Sequence, residues 1–335
     1  MSKKLVPVGA KAKKEGLVFA CVLDGKGGAT ALDWDGVAEW RREDGPVWIH
    51  LERRSPATVT WLEAESTIPA DARKALLAKE TRPRVINYKS GTMVVLRGIN
   101  HNPGEEPDDM VAIRIWIEEN RVISLRHRRL TAPRAMYAVL TGKGSGPRTP
   151  AEIFVNLADR LTEQMNEIVG GLDDQLDDIE ETLDTSDITQ MRGQLGEIRQ
   201  SCVMLRRYIA PQREALSTLR ADPPRWMGME LGPALRESEE SLLRYIEELD
   251  TARDRAVVIR DEIANRLSED MNRTMYTLSV IAGIILPLSL VTGLLGINVG
   301  GIPGTDSVWA FPITCVLLVV LAVGEVWLFR RLKWI

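Results

Sequence analysis

Two apolar stretches near the C-terminus, residues 275–295 (MYTLSVIAGIILPLSLVTGLL) and 308–329 (VWAFPITCVLLVVLAVGEVWLF), decide the fold of this 335-residue chain. The first holds 21 consecutive residues without a charge, and the second carries a single acid, Glu325. A helix of 21 residues is about 31 Å long, close to the thickness of the hydrocarbon core of a bilayer. Because a Gly-rich connector of only 12 residues, 296–307, separates them, the sequence predicts a hairpin of two transmembrane helices.

The charges beside the two stretches predict their orientation. Basic residues flank them on one side only, namely Arg266, Arg273, Arg330, Arg331 and Lys333. The connector 296–307 has no Lys or Arg. Since cytoplasmic flanks carry the positive charge, we expect a multi-pass membrane protein with both termini in the cytoplasm. Residues 1–20 lack a long apolar segment, so no signal peptide is expected.

The chain before the membrane divides by composition and periodicity. Short β-rich runs punctuated by Gly and Pro predict an α/β cytoplasmic domain over 1–145, and a helical cytoplasmic region follows over 146–233. Residues 234–282 contain no Gly or Pro. They predict one helix from about 234 to 295, in which 234–274 is a stalk and 275–295 the first transmembrane helix. The remaining predicted parts are an outer loop at 296–307, the second transmembrane helix at 308–329 and a basic tail at 330–335.

The individual elements are predicted from local pattern. The predicted strands are 17–23, 47–51, 85–88, 92–99, 110–118 and 121–126. The predicted helices before the stalk are 55–65, 70–78, 151–183 and 187–219.

Composition excludes several classes of function. Lys and Arg total 43 against 47 Asp and Glu, a net charge of −4, which argues against nucleic acid as a partner. The three Cys, at positions 21, 202 and 315, have no C-x-x-C spacing, so neither a disulfide framework nor a Cys-built zinc site is expected. The three His, at 50, 101 and 127, accompany no nucleophile–base pattern. We therefore expect no enzyme and no cofactor.

An acidic segment follows the α/β domain. Residues 151–190 contain 12 acids and one base, Arg160. A solvated helix face is one interpretation, and a surface that attracts divalent cations is the other.

Small and polar residues recur on one side of the first apolar stretch. Spaced by three or four, they are Asn272, Met275, Ser279, Ala282, Leu286, Ser289 and Gly293. Such a stripe serves either close packing between helices or the lining of a pore built from several copies.

The residues after this stretch carry a family resemblance. Gly296-Ile297-Asn298, with Pro287-Leu288-Ser289 and Thr292-Gly293 upstream, resembles the Gly-Met-Asn region of the CorA superfamily of divalent-cation transporters. The Ile297 variant, together with the GGIPG segment at 300–304, is similar to the ZntB branch of that superfamily, which is associated with zinc.

The resemblance implies a CorA-like homopentamer in the bacterial inner membrane, whose first transmembrane helices surround one pore. The implied pore-lining positions are Asn272, Met275, Leu278, Ala282, Leu286, Ser289, Gly293 and Asn298, which differ from the stripe chiefly at Leu278 against Ser279. The Asn298 side chains and Gly296 carbonyls, beside Ile297, would form a neutral oxygen ring that holds a hydrated cation through its water shell, and Asp306 would concentrate cations nearby.

The same resemblance implies uptake of Zn²⁺ together with protons, with tolerance of Cd²⁺, Ni²⁺ and Co²⁺. Zinc prefers Cys and His ligands, and none lies near the predicted mouth, so Zn²⁺ is expected to pass hydrated. Glu325 is expected to pair with Arg330 or with a neighbouring chain, which leaves proton coupling as an implication of the resemblance alone. The alternatives are a passive Mg²⁺/Co²⁺ channel, zinc efflux, and a non-conducting membrane-anchored sensor or scaffold.

Overall fold

The structure is a computed structural model that describes residues 16–64, 66–79, 82–142, 144–183, 187–297, 302, 304, 307–332 and 334. The chain divides into two compact units, Met1–Ile259 and Arg260–Ile335. The boundaries proposed from sequence near 145 and 233 both fall inside the first unit, whose α/β and helical parts pack on each other.

A seven-stranded sheet organises the first unit. Its strands are β1 (Leu17–Leu23), β2 (Ala29–Leu32), β3 (Val47–Glu52), β4 (Arg84–Tyr88), β5 (Gly91–Gly98), β6 (Val111–Glu118) and β7 (Arg121–Arg126), in the order β2-β1-β3-β7-β6-β5-β4. The pair β3–β7 is parallel, with Ile49 opposite Ile123, and the other described pairs are antiparallel. All six predicted strands are confirmed to within one residue at each end.

Eight α-helices are described. They are α1 (Trp34–Glu39), α2 (Pro56–Ala64), α3 (Ala70–Leu77), α4 (Thr131–Gly142), α5 (Pro150–Glu181), α6 (Ile188–Ala221), α7 (Gly232–Leu295) and α8 (Ala310–Arg331). The six helices predicted from sequence correspond to α2, α3 and α5 to α8. The elements β2 and α1 were not predicted, because they are too short to carry a periodic signal. Helix α4 was also missed, although its buried Ala132, Met136 and Leu140 recur every four residues.

Polar side chains fix where the long helices begin. The Thr149 hydroxyl accepts a hydrogen bond from the Glu152 amide at 3.1 Å, and Pro150 occupies the first turn of α5. The Glu152 carboxylate in turn accepts from the Arg148 amide at 2.8 Å. This reciprocal cap satisfies amides that have no partner within the helix, so α5 begins directly after the loop predicted from its Gly and Pro content.

Helices cover both faces of the sheet. On one face Leu62 of α2 and Leu76 of α3 belong to a core that includes Ile49, Trp116 and Leu125 of the strands, all nearly inaccessible to solvent. On the other face α5 and α6 pack against β4, β5 and β6. Every residue of β5 is buried, as expected for a strand covered on both sides.

The helical part of the first unit is joined by apolar stripes and ion pairs. Buried residues of α7 in this unit recur every three or four positions, namely Leu235, Ser238, Leu242, Tyr245, Leu249, Ala252, Ala256 and Ile259. Asp250 of α7 pairs with Arg206 of α6 at 2.8 Å, and Glu239 pairs with Arg220 at 2.9 Å. The predicted stalk helix therefore buries its stripe against neighbours within the same chain.

A buried polar group lies between β3 and β7. The Ser124 hydroxyl accepts a hydrogen bond from the Trp48 indole at 2.9 Å and lies 2.7 Å from Nδ1 of His50. A hydroxyl that accepts from Trp48 can still donate its own hydrogen to Nδ1 of His50, so this contact is compatible with a neutral imidazole. Burial, with a smaller contribution from nearby Arg126, lowers the pKa of His50 to about 3.

Gly91 is required by close packing at the start of β5. A Cβ at this position would lie 2.6 Å from the carbonyl oxygen of Ile117 and 2.8 Å from the Trp116 ring. Backbone cannot yield as a flexible side chain does, so Gly91→Ala is expected to destabilise the fold by about 1–3 kcal/mol. Thermal unfolding of the purified chain measures this as a lower Tm. Gly170→Ala in α5, where a Cβ meets open space, is the matched control and is expected to raise Tm slightly. Equal Tm values for Gly91→Ala and wild type would contradict the packing argument.

The neutral His50 predicts a pH dependence of stability. In the unfolded chain His titrates near pH 6.5, whereas in the folded chain the pKa is about 3. Between these values the unfolded state binds a proton that the folded state does not, so the free energy of unfolding falls as pH decreases, by up to about 1.4 kcal/mol per pH unit. We expect Tm to drop between pH 7.5 and 5.0, and to drop less in His50→Gln than in wild type. The exposed His101, changed to Gln, should leave the slope intact; equal slopes in all three proteins would refute the assignment.

Candidate functional site

Two helices of the second unit are long and apolar enough to cross a membrane. The apolar part of α7 and the whole of α8 each contain an 18-residue window of mean hydropathy 2.3, and neither window is buried within the chain. In water these helices would expose a large apolar surface, which is unfavourable, whereas in the hydrocarbon core of a bilayer the same surface is favourable.

One face of α7 is covered by α8. The contact is closest at Gly283, where an added Cβ would lie 2.8 Å from the Phe329 ring. The partly buried residues of α7 share this side at spacings of three and four, namely Val280, Gly283, Ile284, Pro287, Leu288 and Val291. The partly buried residues of α8 include Leu318, Leu321, Ala322, Glu325 and Phe329. Glycine thus allows the two helices to approach closely, as small residues do between membrane helices.

The positions predicted to line a pore lie on the other side of α7. All eight within the described part of the helix are exposed in the single chain, namely Asn272, Met275, Leu278, Ser279, Ala282, Leu286, Ser289 and Gly293. Side-chain direction on an α-helix turns by about 100° per residue, so the mean direction of these eight positions is roughly opposite to that of the covered face. The apolar side chains among them are 61–67% exposed. Close packing against α8 therefore does not account for this stripe, and its role as a pore lining remains a prediction.

The predicted mouth is described only in part. Helix α7 ends at Leu295, and the Gly296 amide donates to the Thr292 carbonyl at 2.9 Å. Ile297 is 47% exposed. Asn298 and Asp306, predicted to bind and attract the cation, lie outside the described residues.

Glu325 does not pair as expected. No hydrogen bond or ion pair within the described part of the chain joins its carboxylate to Arg330, and its Oε2 atom is buried without a partner. The other arginine of this turn, Arg331, lies over the Trp327 ring at 5.4 Å. The predicted pair with Arg330 is therefore wrong within the single chain, whereas pairing with a neighbouring chain stays a prediction.

Three acids of the acidic segment of α5 pair with an arginine of the same chain. The Arg255 guanidinium of α7 contacts Asp173 at 2.5 Å, Asp177 at 2.7 Å and Glu180 at 3.0 Å. These contacts raise the pKa of Arg255, and the hydrogen bond to Asp177 makes the largest contribution. Throughout the described ranges, no group of three or more His, Cys, Asp or Glu is placed to hold a metal ion.

Sequence reasoning missed this cluster, although a signal for it was present. The three acids are spaced four and three residues apart, so they lie on one face of α5. Their partner is 75 or more positions away in sequence, and only the packing of α7 beside α5 identifies it.

Comparison with known proteins is consistent with this architecture. A family model described as CorA-like Mg²⁺ transporter protein matches residues 43–331. The chain is 36% identical over 318 residues to the zinc transport protein ZntB of Yersinia pseudotuberculosis, covering 95% of this chain and 96% of that protein. It is 38% identical over 326 residues to the divalent cation transporter CmaX of Pseudomonas aeruginosa, covering 96% and 98%.

A solved structure shows the same fold. The structure of full-length CmaX superimposes with a TM-score of 0.83 at 38% identity and covers 96% of this chain and 99% of that one. The shared fold comprises an α/β domain, a long helix and two C-terminal apolar helices. Family match, identity and fold agree, and the chain belongs to the CorA-like family of Mg²⁺ transporter proteins.

Proposed function

We propose that this protein carries Zn²⁺ into the cytoplasm through a central pore of a homopentamer in the bacterial inner membrane, with protons moving in the same direction. Relatives named as a zinc transport protein and as a divalent cation transporter, each matched over at least 95% of this chain, support metal-ion transport. The choice of zinc follows the former relative and the Gly296-Ile297-Asn298 variant. The proposed co-transport of protons rests on the resemblance of this variant to the ZntB branch.

The single observation that carries the proposal is the uncovered face of α7. Its Ser279, Ala282 and Ser289 are small or polar and exposed in the single chain. Lipid gives no advantage to such side chains over larger apolar ones, whereas a water-filled pore does. A closed ring of identical subunits would bring the same face of every copy to one axis.

The proposed mouth suits a hydrated ion. Asn298 and the Gly296 carbonyl offer neutral oxygen atoms, which can hydrogen-bond the water around a divalent cation without stripping it. Direct zinc ligation favours Cys and His, and the sequence has neither between residues 272 and 307. Discrimination among Zn²⁺, Co²⁺, Ni²⁺ and Cd²⁺ is therefore expected to be weak.

Inward movement agrees with the membrane potential. With the cell interior negative, entry of two positive charges is favoured by about 4.6 kcal/mol per 100 mV. A second candidate function, passive conduction of Mg²⁺, is favoured by the description of the matching family. The two differ in the transported ion and in the response to a proton gradient.

Reconstitution into liposomes tests the function directly. Purified protein in vesicles that contain a zinc dye is expected to admit Zn²⁺, and to admit it faster when the outside is more acidic than the inside. Vesicles with a magnesium dye are the parallel arm. Magnesium entry with a rate indifferent to pH would replace the proposal by the passive channel, and the absence of any metal flux would overturn transport.

Removal of the oxygen ring should stop the flux. Asn298→Ala deletes the amide that is proposed to hold the hydrated cation, so zinc entry is expected to fall at least tenfold in the same vesicles. Ser307→Ala, in the same connector and without a proposed role, is the control and should retain the wild-type rate. Wild-type entry through Asn298→Ala would remove Asn298 from the mechanism.

Adjacent cysteines can report which face of α7 meets water. Ser289 is exposed and Leu288 lies on the face covered by α8. In a Cys315→Ser background, a membrane-impermeant cationic thiol reagent added outside is expected to modify Ser289→Cys and block zinc entry, while Leu288→Cys stays largely unmodified. The buried Cys21 and Cys202 contribute no background. Equal modification at both positions would argue against a water-filled pore on this face.

A further inference from the structure

One acidic side chain of α8, Glu325, has a carboxylate oxygen without a partner among the described residues. Glu325 is the only acid between residues 307 and 332, and its Oε2 atom is buried without a hydrogen bond to any described residue. An unpaired carboxylate is costly in an apolar environment, whereas a neutral carboxyl needs only an acceptor for its hydrogen.

No described base faces this carboxyl to hold it ionised. On α8, Arg330 and Arg331 lie beyond it in the last turn, Arg331 lies over Trp327, and neither forms an ion pair with Glu325. The only other titratable side chain described on α8 is Cys315, which is exposed. The covered face of α7 offers no titratable side chain at all, since it consists of Val280, Gly283, Ile284, Pro287, Leu288 and Val291.

The position of the carboxyl follows from the contact between the two helices. Phe329 packs on Gly283, and Glu325 precedes Phe329 by four residues, so it lies on the same face about 6 Å along α8. The short connector makes the helices antiparallel. The same distance along α7 leads from Gly283 to Pro287, so Glu325 is level with this turn.

That turn contains a backbone carbonyl whose usual helical donor is missing. Pro287 lies inside α7 and has no backbone N–H, so the Gly283 carbonyl lacks its usual helical donor. In a membrane such a carbonyl is satisfied by a neighbouring helix or side chain. A carboxyl O–H can donate to it, whereas a carboxylate cannot.

We propose that Glu325 is a proton-binding site of the transport cycle, which donates its carboxyl O–H to the Gly283 carbonyl when protonated. On loss of the proton the carboxylate and the carbonyl oxygen repel each other, and the contact between α8 and the Pro287 turn loosens. The opposite face of α7 bears the predicted pore positions, so protonation reaches the pore through this helix. The role in transport rests on the proposed function; the hydrogen bond does not.

Transport of Zn²⁺ by full-length Glu325→Gln in dye-loaded liposomes tests the role. The amide keeps a donor for the Gly283 carbonyl but cannot release a proton, so the variant should still admit zinc, at a rate that changes less than twofold when an inward proton gradient is imposed. Wild type and Glu237→Gln, which alters an exposed acid near the start of α7, should both be stimulated. Full stimulation of Glu325→Gln would overturn the proposal.

Infrared spectroscopy of the same samples tests the protonated carboxyl without any transport. The carbonyl-stretching band of a protonated carboxylic acid is expected in wild type and Glu237→Gln and absent in Glu325→Gln. Pro287→Ala returns an N–H to the Gly283 carbonyl, so the band should move to higher wavenumber. A wild type that bears the band but passes no zinc would refute the proposed function alone, whereas a band unaffected by Glu325→Gln would refute the site.

Discussion

The absence of water from the hydrocarbon core is the constraint on which this structure depends. There every backbone N–H and C=O must bond within the protein, so the chain crosses as helices and keeps charges out of them. The stretch 275–295 satisfies both requirements, because it is helical and its 21 residues carry no charge. Pro287 and Glu325 depart from these requirements, and because they are level with each other, one departure can compensate for the other.

Much of the fold could be predicted because its signals are local. The uncharged stretches, the region 234–282 without Gly or Pro and the β-rich runs near Val47, Gly91 and Arg121 each carry their own period. Two of the elements that were missed, β2 and α1, are only four and six residues long, which is too short for a period to be recognised, whereas α4 has a regular spacing of buried residues that was overlooked. The order of the strands, with β3 beside β7 in parallel, depends on pairing between distant residues and was not predictable from period alone.

The candidate site could be predicted less completely. A stripe repeated every three or four residues identifies one side of α7, and that side is the one α8 leaves uncovered. Partners were harder to foresee: Arg330 is near Glu325 in sequence but does not pair with it, while Arg255 joins acids at least 75 positions away. Sequence proximity is a poor guide to ion pairs because side-chain direction on a helix changes by 100° per residue.

The Arg255 cluster also links helix packing to the salt content of the surrounding solution. Three carboxylates meet one guanidinium, so the cluster keeps an excess of two negative charges at its partly exposed surface. Dissolved ions screen both the attraction to Arg255 and the repulsion among the acids, over distances of about 10 Å at 0.1 M. When a cell loses water, the concentration of these ions rises. The strength of the ion pairs between α5 and Arg255 of α7 therefore depends on the osmotic state of the cell.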